Sequence, residues 1–171
     1  PLGLLETGIE WWIILAFGSL LIILILVAEY ISMDSGDSRY PLALMVLSAV
    51  SYGVFFLLCI ALRASNARLY FILLILPSFF IFLCLRILHF RLSGRWRFEW
   101  TAVITLIVTQ CIIAAYYWPL TPVRFGLILT GPAYALIGIA ASLEENPDIR
   151  KVFYDPLVVL AVIWILAILI K

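Results

Sequence analysis

Six apolar runs, separated by short polar stretches, set the pattern of this chain. They cover residues 11–31, 41–62, 69–88, 100–118, 123–143 and 153–170. The first, WWIILAFGSLLIILILVAEYI, carries no charge from Trp11 through Ala28. As a helix it would reach about 31 Å, the thickness of a bilayer's hydrocarbon core. Twelve of its residues between Ile13 and Val27 are Ile, Leu, Phe or Val. At roughly −0.3 to −0.6 kcal/mol each near the middle of an inserted helix, they favour insertion by about −4 to −7 kcal/mol, enough to outweigh Gly18 and Ser19. The pattern predicts an all-α, polytopic integral membrane protein: a six-helix transmembrane bundle forming one transmembrane domain over residues 1–171.

Local signals refine the runs. Trp11 and Trp12 mark a headgroup level, and tryptophan brackets the fourth run at Trp100 and Trp118. Pro41 suits a helix start. Pro77, near the middle of the third run, removes a backbone hydrogen bond, so a kink is expected there, and Pro132 sits at the centre of the fifth. Asp155-Pro156 reads as a helix start of the cap-then-proline type. The apolar residues after it number 14, about 21 Å as a helix. The sixth span must then begin in the interfacial segment near Val152, or the chain must continue beyond Lys171. With Pro1 at the first position, the N-terminus is expected to be processed or to extend further.

Composition agrees with the pattern: 66% of residues are hydrophobic and 12% charged, with a mean hydropathy of +1.20, far outside the range of soluble domains. A net charge of +1 gives no dense basic face for nucleic acid. On alternate connections the basic residues divide into seven (Arg39, Arg86, Arg91, Arg95, Arg97, Arg150, Lys151) and four (Arg63, Arg68, Arg124, Lys171). That bias expects the 91–97 connection in the cytoplasm, with both termini outside.

Chemistry-bearing residues are sparse. Glu29 and Arg86 are the charged residues well inside apolar runs, and each lies near a span end where it can snorkel to the headgroups. His89 is the single histidine, which excludes bis-histidine haem within one chain. Cys59, Cys84 and Cys111 sit in apolar runs without a CxxC pair, so buried, inert thiols are expected and no metal site or cofactor. Glu144-Glu145 followed by Arg150 invites comparison with the glutamate-pair motif of intramembrane CAAX-type proteases. The arginine is one residue too far on, and no intramembrane histidines follow. GxSxG, Walker and GxGxxG patterns are absent, and no enzymatic activity is expected.

Uncharged polar residues remain. Thr101, Thr105 and Thr109 recur every fourth residue on one face, and Gln110 points about 100° away from Thr109, toward a different neighbour or another subunit. Gly131, Ala135, Gly138 and Ser142 form a stripe in the fifth run. These suit close helix packing and interhelical hydrogen bonds; a sharper alternative is a midplane pocket lined by Tyr52, Ser78, Thr109 and Tyr134 beside the Pro77 and Pro132 breaks. In the 91–100 connection, RLSGRWRFEW, Arg91, Arg95 and Arg97 alternate with aromatics, a pattern that suits anionic headgroups or a docking partner. The functional expectation is a small non-catalytic accessory or scaffolding subunit of a larger membrane assembly, in the cell membrane, whose partners are membrane lipids and other membrane subunits. The alternative is a transporter or passive conduit for a small uncharged or lipid-like solute.

Overall fold

The computed structural model of the chain describes residues 9–32, 40–92, 96–145 and 149–169. They form six helices: α1 (Ile9–Ser32), α2 (Tyr40–Ala64), α3 (Leu69–Arg91), α4 (Phe98–Tyr116), α5 (Pro122–Glu145) and α6 (Ile149–Leu169). No strand occurs among the described residues. Leu42–Ala64, Leu69–Arg91, Phe98–Tyr116 and Pro122–Glu144 are each long and apolar enough to cross a membrane, while Gly18–Ile31 and Phe153–Leu169 are shorter apolar helices. The chain is a multi-pass, all-helical membrane protein. Most helices outrun their apolar stretch by a few residues, because lipid offers the backbone no hydrogen-bond partners and its groups are best satisfied within the helix.

Two compact units divide the chain, residues 1–50 and residues 51–171. In the first, the hydroxyls of Ser19 and Ser48 donate to the carbonyls of Ala16 and Leu44, three and four residues back in their own helices. Leu20, Ile22, Ile23 and Leu26 are exposed, as suits a helix solvated by hydrocarbon.

The second unit holds a continuous core. Buried positions recur at three- and four-residue spacing: Ile72, Leu76 and Phe80 on α3, Ile104, Val108 and Ile112 on α4, Phe125, Leu129, Ala133 and Ile137 on α5. This is the period of a helix with one face turned inward. The central element is α5, which packs on α3, α4 and α6. Its closest neighbour is α6, laid against the glycine stripe. A Cβ at Gly131 would lie 3.0 Å from Leu160 Cδ1 and 3.3 Å from Trp164 Nε1, and one at Gly138 would lie 3.3 Å from Pro156 Cγ. Small residues let the backbones approach where no hydrophobic drive separates protein from lipid. Residues 51–64 of α2 stand off further and meet the core through rings: Phe55 and Phe80 have centroids 5.3 Å apart.

The expectation for Pro156 needs correction. Pro156 does not open α6. The helix starts at Ile149 and runs through the proline, whose ring rests in the space left by Gly138. The start in the interfacial segment, expected near Val152, thus lies three residues earlier, at Ile149. α3 and α5 remain helical through Pro77 and Pro132, rather than breaking there as the midplane-pocket alternative required.

The α2–α3 turn and the α4 C-terminus are tied together. Asn66 takes φ 51°, a left-handed conformation that asparagine tolerates. The amides of Asn66 and Ala67 donate back to the carbonyls of Arg63 and Leu62 at 3.2 and 3.3 Å, the paired bonds of a Schellman cap. Arg63, at the same end, donates to the carbonyls of Tyr116 and Trp118 at 3.3 and 3.1 Å. Its guanidinium lies over the rings of Tyr116 and Phe125, so one cation adds a donor to two carbonyls where α4 stops, the Trp118 carbonyl also accepting the Leu120 amide.

Candidate functional site

Three groups of polar residues lie in the second unit, and each is built differently. The first comprises the proposed midplane residues. Tyr52 on α2 and Tyr134 on α5 come together, both partly buried, with ring centroids 5.4 Å apart at 60°. Ser78 lies elsewhere: it is exposed on α3, and its hydroxyl donates to the Leu74 carbonyl at 2.6 Å. Thr109 donates to the Thr105 carbonyl at 2.7 Å and lines a groove between α3 and α4. Of the four, the structure joins the two tyrosines.

The second group is the arginine-aromatic connection. Arg95 lies outside the described residues. Arg91 is half-buried at the end of α3. Arg97 turns to the end of α5, where its Nη2 meets Glu144 Oε2 at 2.7 Å, and Trp100 Nε1 donates to the other carboxylate oxygen at 3.2 Å. Glu144 thereby holds the start of α4 to the end of α5. His89 stacks on Trp96 at 4.2 Å, with a buried Nδ1 that has no partner among the described residues.

The third group lines the α3/α4 groove, about 600 Å³ in volume, whose walls are Ile81, Leu85, Phe98, Ala102 and Leu106 with Thr101, Thr105, Thr109 and Gln110. Thr101 donates to the Arg97 carbonyl at 3.0 Å. Thr105 differs from its neighbours on the same face. Only 7% exposed, its hydroxyl has no hydrogen-bond partner among the described residues. Gln110 is exposed at the groove's edge.

A family model described as a protein of unknown function, DUF5656, matches residues 1–170. The chain belongs to the DUF5656 family. No curated protein matches it, and neither does any solved structure. Among the described residues of this DUF5656 chain, no three His, Cys, Asp or Glu side chains converge as they would around a metal ion. Cys59 and Cys84 are fully buried and Cys111 half-buried, all as free thiols. Arg86, near the end of α3, has its guanidinium over the ring of Phe90.

Sequence reasoning missed two contacts in this DUF5656 chain. Gly126 lies beneath the Phe56 ring, and Arg63 spans to the end of α4. A glycine outside the regular stripe and an arginine at a loop edge give no signal of their own. Such contacts depend on which helices become neighbours.

Proposed function

We propose that this chain is a small non-catalytic subunit of a larger membrane protein assembly, residing in the cell membrane and contributing helix surfaces rather than chemistry. The observation that carries this reading is how the polar side chains of the spans are used. Hydroxyls of Ser78, Thr101, Thr109 and Thr130 donate to carbonyls one turn back in their own helices. The Arg97–Glu144 pair fastens one helix to another. Thr105 and Gln110, by contrast, line a groove that opens outward. Arg91 and Arg95 complete the reading as contacts to anionic headgroups, at roughly 1 kcal/mol per basic residue near the surface.

Copurification from native membranes in a mild detergent tests it. The expected result is one or more companion membrane proteins in fixed stoichiometry that survive a second affinity step. A lone, monodisperse protein that carries an activity would overturn it.

A second reading, a passive conduit for a small uncharged or lipid-like solute, draws on the contact of Tyr52 and Tyr134 between α2 and α5. On that reading Tyr52→Leu and Thr109→Leu abolish solute flux in proteoliposomes with the fold intact. Unchanged flux ends it.

A further inference from the structure

The α3/α4 groove combines features that point to a helix as occupant. Its walls are almost wholly apolar, yet it presents a buried hydroxyl without a partner, that of Thr105. It also carries the exposed carboxamide of Gln110, which makes no hydrogen bond among the described residues. Thr105 lies about 10 Å from the start of α4 and Gln110 about 9 Å from its end, so both sit near the middle of the bilayer. Water is absent at that depth and each unmet polar group is costly. Lipids place their polar groups at the interface and cannot satisfy a carboxamide at mid-depth. The occupant must bring a hydrogen-bonding group to the same level.

A second copy of this chain does so by construction. Copies of a membrane protein inserted in the same orientation are related by rotation about the membrane normal, so each residue recurs at its own depth. Gln110 of one copy then faces Gln110 of the other. A carboxamide both donates and accepts, so the pair is self-complementary. Ala102, Leu106, Gln110 and Ile113, at spacings of four, four and three, form an exposed stripe on α4 along which a parallel helix can lie.

We propose that α4, at the edge of the α3/α4 groove, seats a second copy of this chain, docked α4 to α4, with the two Gln110 carboxamides hydrogen-bonded across the axis. This goes beyond the subunit reading and stands or falls separately, since a dimer forms with or without companion proteins.

The test uses the full chain in liposomes and in native membranes. Cys59, Cys84 and Cys111 are replaced by alanine, and Gln110→Cys is treated with a short bis-methanethiosulfonate reagent. Val162→Cys, exposed at mid-span on α6, is the control. The expected result is a covalent dimer through position 110 and none through position 162.

In parallel, the chain with its native cysteines is counted by single-molecule photobleaching over a range of protein-to-lipid ratios. Gln110→Leu should weaken dimerisation about 3- to 18-fold per lost hydrogen bond, and Gln110→Asn should restore much of it. The proposal is overturned by a chain that stays monomeric at every density, by a Gln110→Leu variant that dimerises like the wild type, or by position 110 cross-linking only to a different membrane protein.

Discussion

Replacing Gly126 by alanine asks whether rings meeting small residues govern how α2 seats on α5. A Cβ at this position would lie 2.8 Å from both Cδ2 and Cε2 of Phe56 and 3.2 Å from Cγ1 of Ile60. Carbon atoms prefer separations of about 3.5–4.0 Å, so the new methyl would overlap the ring by roughly 1 Å at two atoms. Over-packing of this kind costs about 1–3 kcal/mol. In water, about 1 kcal/mol would return through the helix propensity of alanine. In a membrane most of that gain is lost, because the helices persist when their packing is broken. Gly126→Ala should therefore destabilise the fold by about 1–3 kcal/mol, read as a shifted midpoint in SDS titration of the purified chain in mild detergent. The same substitution placed on Phe56→Leu should cost much less, with a coupling of about 1–2 kcal/mol between the two sites. A stable Gly126→Ala protein, or a coupling of zero, would refute the reasoning.

Three further outcomes follow from the same packing. Arg63→Ala removes the charged donor from the Tyr116 and Trp118 carbonyls and should cost about 1.5–3 kcal/mol in the same titration, with Arg63→Lys restoring only part because a single ammonium nitrogen lacks the planar two-nitrogen span and ring stacking of the guanidinium. Glu144→Gln keeps an acceptor for Trp100 but loses the ion pair with the 38%-exposed Arg97 side chain; it should cost less than about 1 kcal/mol, and the difference from wild type should shrink at high salt. An apolar thiol reagent followed by mass spectrometry should modify half-buried Cys111 first, and should reach Cys59 and Cys84 only after denaturation.

How much of this was readable in advance depends on the scale of the signal. The six helices follow from runs of apolar residues because lipid acts on each span independently: α3 begins at Leu69 as its run does, and α5 covers residues 122–145 against an apolar run of 123–143. The glycine stripe was legible for a similar reason, since Gly131 and Gly138 share a helical face and a partner must lie on it. Pro156 was misread because the cap-then-proline pattern is local, whereas the cavity over Gly138 that accommodates its ring is made by another helix. The pocket alternative includes Ser78 because a hydroxyl beside a proline suggests a broken helix, whereas in the structure that hydroxyl donates to the Leu74 carbonyl of its own helix. The groove beside Thr105 and Gln110 was half visible: the sequence turned Gln110 toward another neighbour, but not the unpartnered hydroxyl beneath it.

The central position of α5 bears on how the protein is made. Translation delivers α2, α3 and α4 to the membrane before their common neighbour has left the ribosome. Those spans can pair with one another, as α3 does with α4, but the core face that α5 fills stays open to lipid until α5 arrives. A nascent chain halted after Tyr116 would hold α3 and α4 against each other with the face that α5 covers left open, so quality control in the membrane has a discrete stage, the emergence of α5 and then α6, at which an orphaned intermediate becomes a finished unit.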